Sequence, residues 1–214
     1  MASRWPALQG AELTLQKARE KVEKGEWESA VLLSLVVMPP VVKMLQFADD
    51  SNGSIGDVMN WATRTIDEAV ITSLPYLNEK EKKRLFDAIM KEAIKVHYEG
   101  WSDWRYDLIK ICTYYSPSKD LRKKLEKQLE SFLSRTESSW SDRYEKKQIK
   151  LLQLEIIERC DGADAAEKFI YENINHSEFR EKAIAIELGN GDYKKMLQLC
   201  LDGEEVDKES RPYS

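Results

Sequence analysis

Histidine, cysteine, glycine and proline are all scarce in this chain of 214 residues: two, three, nine and six respectively. Each shortage excludes something. Catalytic and structural zinc sites are built from close His and Cys pairs, and here Cys112, Cys160 and Cys200 stand far apart while His97 and His176 are the whole histidine complement. Three dispersed cysteines cannot frame a disulfide scaffold, and their usage is that of a reducing compartment. Met1–Gly10 also lacks the basic segment and apolar stretch of a secretory signal, so a cytoplasmic protein is expected. So little Gly plus Pro, with 42% apolar and 33% charged residues, excludes collagen-like and disordered classes.

Catalytic and nucleotide-binding motifs are missing too. There is no Gly-Lys-Ser/Thr, no Gly-x-Ser-x-Gly and no His-Glu-x-x-His. The loop Asp49–Asp57 contains Gly53 and Gly56, but placing either at the sixth position of a calcium loop leaves Ala48 or Ser51 first, without the alternating acids required. Ser54 or Asp57 is expected to cap the helix that follows. No cofactor, metal ligand or catalytic residue is assigned, and the chain is read as not an enzyme. The apolar run 30–45 is short for a membrane span and carries Pro39-Pro40; it reads as a buried helix ending near Met38, with a second piece resuming at Val41.

The formal net charge is −5, of which residues 202–214 carry −3 through five acids against Lys208 and Arg211. The remaining body is nearly neutral, which argues against a dedicated nucleic-acid or membrane-surface protein. Its densest basic run, Arg122, Lys123, Lys124 and Lys127, could join Arg143, Lys146, Lys147 and Lys150 in one patch. The corresponding alternative function is a nucleic-acid adaptor using the helices at 122–127 and 143–150.

What the chain does have is helical periodicity. Apolar residues recur three and four apart almost everywhere, as in Val58, Met59, Ala62, Ile66, Ala69, Val70 or Leu121, Leu125, Leu129, Phe132. Gly25, Pro75, Gly100 and Gly189-Asn190-Gly191 punctuate them, and Asn78 with Glu81 has capping-box spacing. About ten helices with no strand predict an all-α stack of antiparallel hairpins, a single domain over 1–201 with the 141–160 helix central and an acidic, disordered tail at 202–214.

Two internal echoes support hairpin repeats. Trp101-Ser102-Asp103-Trp104-Arg105-Tyr106 returns as Trp140-Ser141-Asp142-Arg143-Tyr144, with the tryptophans 39 residues apart, near the HEAT-like period of about 40. In each copy Ser is placed to cap a helix while the preceding Trp packs over its first turn. Gly25-Glu26-Trp27 likewise echoes Gly191-Asp192-Tyr193, a pattern that resembles the start of the second helix in a tetratricopeptide hairpin. The strings Phe179-Arg180-Glu181-Lys182-Ala183, Gly191–Lys195 and Leu197–Glu205 resemble the helical-repeat region of bacterial SWIM zinc-finger-associated proteins. That resemblance implies a helical-repeat fold in a bacterial cytoplasmic protein. The family's Cys-x-Cys and Cys-x-His module is absent from this sequence, so its zinc and nucleic-acid role do not carry over.

These features favour a non-enzymatic interaction scaffold for a protein partner. The candidate partner surface is Trp101, Trp104 and Tyr106, because at 100° per residue Trp104 and Tyr106 point about 160° apart and cannot share one buried face. The rival reading is a site assembled from distant residues, such as His97 beside Asp103 or Cys112. His97 is expected to continue its helix's apolar face, and each cysteine to lie on one.

Overall fold

A computed structural model describes residues 6–134 and 140–209. Among them are ten α-helices, two 3₁₀ turns and no strand: α1 Pro6–Glu23, α2 Trp27–Met44, α3 Ser54–Ser73, α4 Glu79–Ala93, α5 Ser102–Cys112, α6 Lys119–Leu133, α7 Trp140–Cys160, α8 Ala163–Glu172, α9 Ser177–Asn190 and α10 Tyr193–Glu209. The chain divides into two compact units, Met1–Ser138 and Ser139–Ser214, where one domain over 1–201 was expected. Periodicity shows that a helix has an apolar face but not which helices share a core.

In the first unit α1, α2 and α3 pack on one another, α4 and α5 pair, and α5 also lies against α3. The expected break in α2 does not occur: the helix runs through Pro39 and Pro40. A helix-interior proline costs about 3 kcal/mol, but Val37, Met38, Val41, Val42 and Met44 are all buried around the pair. At roughly 1.5–3 kcal/mol for each large apolar side chain, their burial outweighs the lost donors. By length and composition this helix could cross a membrane, and half of it is buried inside the protein.

Side chains tie the ends. Asn78 accepts from the backbone N–H groups of Lys80 and Glu81 while Glu81 accepts from that of Asn78, the capping box read from the sequence. At α3 the cap differs from expectation. The Asp50 carboxylate, not Ser54 or Asp57, accepts the N–H groups of Ile55 (2.8 Å) and Gly56 (3.2 Å), and Asn52 accepts that of Ser54. An anionic cap from outside the helix fills two orphan donors at the positive end of the helix dipole. Ser102 does not cap α5 either; Trp101 occupies the N-cap, without a side-chain hydrogen bond. Arg105, buried, closes the C-terminal end of α4 by donating to the carbonyls of Ala93 and Lys95 (both 3.3 Å) and lies over the Phe132 ring of α6.

The second unit is built from successive pairs, α7 on α8, α8 on α9 and α9 on α10, around Leu154, Ala166, Ile170, Phe179, Ala183 and Leu199. Helix α7, expected at the centre of a single stack, opens this unit. The carboxylate of Glu187 on α9 accepts from Tyr171 on α8 and pairs with Lys195 on α10, whose ammonium also lies 4.3 Å from the Tyr171 ring centre. Helix α10 continues to Glu209, so residues 202–209 are helical rather than the unstructured tail expected there; 210–214 lie outside the described residues.

One echo is a backbone fact. Gly25 (φ 72°) and Gly191 (φ 74°) are both left-handed. After each, the same pair of hydrogen bonds closes the preceding helix: Gly25 to Val22 and Glu26 to Lys21, Gly191 to Leu188 and Asp192 to Glu187. This is the Schellman ending, which needs a residue free of Cβ strain. The aromatics that follow fare differently: Trp27 is half-buried and stacks on Tyr76 at 5.4 Å, whereas Tyr193 is exposed. In the other echo, the side chains of residues 140–142 lie outside the described residues.

Candidate functional site

Helices α3 and α5 lie side by side in the first unit, and the polar edge of each faces the other across an open groove of about 490 Å³. Asn60, Thr63, Arg64 and Asp67 line it from α3, spaced so as to share one helical face; Asp107, Lys110, Ile111 and Tyr114 line it from α5 and the turn after it. The face continues upward to Trp104, three residues before Asp107. The Trp104 indole N–H donates to Asn60 Oδ1 at 3.1 Å, which locks the ring against the groove.

Trp101 stacks on Trp104, ring centres 6.1 Å apart and 25° between planes, the packing over the first turn expected from the sequence. It remains 45% exposed. Tyr106, by contrast, is only 5% exposed and is withdrawn from the candidate surface. The reason is the helical angle: with Trp104 turned to the groove, position 106 falls on the far side of α5, inside the core.

The groove's charge is crowded. Asp107 reaches solvent but is hemmed by the groove walls, and that desolvation holds its carboxyl above the ordinary 3.8. Asp103 and Asp67 push the same way and Lys110 opposes them. Arg64 donates its Nε–H to the Asn60 carbonyl (3.2 Å), and Thr63 donates to that of Met59 (3.0 Å). Neither histidine lines the groove, and the Thr63 hydroxyl has no imidazole base to activate it. The arrangement is suited to holding a polar, elongated ligand against an aromatic edge.

His97 lies elsewhere. It sits in the 3₁₀ turn Val96–Tyr98 beyond the end of α4, not on the apolar face of the helix. Its Nε2 is 3.0 Å from Glu92 Oε1, where the rival reading placed it beside Asp103 or Cys112. Tyr98 donates to the same oxygen (3.1 Å) and Lys95 to Oε2 (2.6 Å). This buried carboxylate is already filled by three groups of its own chain. Burial lowers the His97 pKa, with Glu92 acting against it, and pushes the Tyr98 phenol far up.

Of the cysteines, Cys112 is buried and its thiol is pushed up by desolvation, Cys160 is half-buried, and Cys200 is exposed, contrary to the apolar-face expectation. Among the described residues no group of three or more His, Cys, Asp or Glu side chains could hold a metal ion. The two basic helices belong to different units, and some of their bases pair within their own unit. Arg122 pairs with Glu126, Lys124 with Asp87 and Lys147 with Glu178. Lys147 and Lys150 lie over the rings of Tyr144 and Phe169.

The sequence pointed to the tryptophans but missed their partners. Asp107, Ile111 and Tyr114 continue the face of Trp104 at helical spacing, and that signal was available. Their juxtaposition with residues 60–67 was not, because it depends on α5 packing beside a helix some forty residues earlier. Set against models of protein families, curated proteins and solved structures, the chain matches none.

Proposed function

We propose that this chain is a non-enzymatic helical scaffold that docks a segment of another protein in the α3–α5 groove. The observation that carries the reading is the exposed ring of Trp101, stacked on the half-buried Trp104 at the groove's end. Tryptophan leaves water readily and is the residue type most enriched among interface anchors, where truncation costs about 2 kcal/mol or more. A groove edge that keeps such a ring accessible, beside fixed polar groups, has the anatomy of a binding cleft.

The shared Schellman endings of α1 and α9 support a further element of the proposal, that the hairpins are tetratricopeptide- or HEAT-like repeats. Kinship with the helical regions of SWIM-associated proteins rests on the C-terminal strings quoted above. The adaptor reading loses weight because the body is nearly neutral and Arg122, Lys124 and Lys147 pair with acids of their own unit.

A photo-crosslinking side chain placed at the exposed position Arg64 tests the docking site, with Lys127 as the control position. The proposal expects a protein adduct from position 64 that disappears in the Trp101→Ala background and does not form from position 127. Adducts that ignore both the position and Trp101 would overturn it.

A further inference from the structure

The chemistry of the groove narrows what can occupy it. Asp67 and Asp107 line the groove with Arg64 and Lys110, and Asp103, one turn before Asp107 on α5, adds a third negative charge acting on Asp107. Trp104 cannot serve as a donor, since its indole N–H is already given to Asn60; what its ring still offers is π surface. An indole face attracts cations and repels anions. Asp107 lies one helical turn from Trp104 on the same side of α5, so a group stacked on the open face of the tryptophan pair is within reach of that carboxylate.

We infer that the groove recognises a positively charged segment of its protein partner, with an arginine guanidinium stacked on the open ring face of the Trp101–Trp104 pair and hydrogen-bonded to Asp107 and Asp67. Arginine suits the site better than lysine because its planar head stacks on an aromatic ring while its fork of N–H groups engages carboxylates. Desolvation is the main cause that raises the Asp107 pKa, and the repulsion from Asp103 and Asp67 that adds to it is offset when a cation enters. The inference rests on the docking reading and adds to it the sign of the ligand's charge.

The test uses two synthetic pentapeptides, acetyl-Ala-Gly-Arg-Gly-Ala-amide and its citrulline twin, which has nearly the same shape without the charge. Each is titrated into the full-length protein while the indole N–H signals are followed by nuclear magnetic resonance, with Trp101→Phe and Trp104→Phe assigning the two that matter. The arginine peptide is expected to shift both signals and to bind about tenfold more tightly than the citrulline peptide at low salt, the advantage shrinking as salt is raised. Asp107→Asn and Asp67→Asn, near-isosteric changes, are each expected to weaken it about fivefold or more while the other indole signals stay in place. Arg64→Gln removes a competing cation and is expected to tighten binding.

Equal shifts from both peptides, or binding indifferent to Asp67, Asp107 and Arg64, would overturn the charge assignment while leaving the docking site intact. No shift from the arginine peptide at millimolar concentration also overturns the assignment. In that case the crosslink at position 64 still decides whether the groove docks a protein at all.

Discussion

Gly203 lies in the interior of α10, where alanine would ordinarily be an improvement of about 0.5–1 kcal/mol in helix stability. Here the sign reverses. A Cβ at this position would overlap Nε of Arg180 and stand 2.9 Å from its Cδ and Cζ. Arg180 cannot simply swing away, since it is 7% exposed and donates through Nη1 to the Ile174 carbonyl at 3.2 Å. Displacing it forfeits a charged hydrogen bond worth about 1.5–3 kcal/mol. Subtracting the helix gain leaves Gly203→Ala destabilising by about 1–2 kcal/mol. Urea denaturation followed by circular dichroism gives the total, and hydrogen exchange at the amides of α9 and α10 localises it. Gly189→Ala is the control, because nothing lies within 4 Å of a Cβ there; it should be neutral or mildly stabilising. In an Arg180→Ala background, Gly203→Ala should turn stabilising. If it stabilises the unmodified protein as Gly189→Ala does, the close approach of α9 and α10 at this point is refuted.

Three other outcomes are expected. Asp50→Ala should cost about 1–2 kcal/mol by uncapping α3, whereas Ser54→Ala, whose side chain makes no cap bond, should change stability by less than about 0.5 kcal/mol; equal losses in chemical denaturation would contradict the assignment. Pro40→Ala restores a donor to the Val36 carbonyl without disturbing a buried ring, and after about 0.4–1 kcal/mol of the roughly 3 kcal/mol proline cost is returned to the freer unfolded chain it should raise stability by about 2 kcal/mol; a lower melting temperature would count against an unbroken α2. Hydrogen bonds from Lys195 and then Tyr171 hold Glu187 below its ordinary 4.5. Its contribution is therefore complete above that value and is lost as pH falls through the lower folded value. Thermal melts below pH 4.5 should show the second unit losing stability, with a smaller acid dependence in Glu187→Gln.

Much of the architecture is decided by short-range rules that a sequence displays directly. Apolar spacing of three and four makes helices, and the Asn78–Glu81 box depends on residues three apart in one chain segment. Gly25 and Gly191 end their helices because only glycine takes a left-handed turn without strain. The tryptophan pair is local as well: residues 101 and 104 stand one turn apart, so their stacking follows from helix geometry. Tyr106 marks the limit of such reasoning. Its angle to Trp104 said that one of the two must turn inward, but not which, since that depends on where the core lies.

Loop conformation and tertiary packing decided the rest, because the energies that settle it come from groups that no helical spacing rule brings together. Burial of Met38 and Val41 on either side of Pro39-Pro40 overrode a local breaker. Asp50 won the α3 cap over Ser54 and Asp57 because the loop folds its carboxylate back onto the amides of Ile55 and Gly56. Glu92 drew in His97, Tyr98 and Lys95 once the 3₁₀ turn placed them beside it. The groove itself has half its lining on residues 60–67 and half on 107–114, two polar faces that read separately as ordinary solvated surface. They form a site only when the apolar faces behind them bring α3 and α5 together, and no spacing rule within either helix contains that distance.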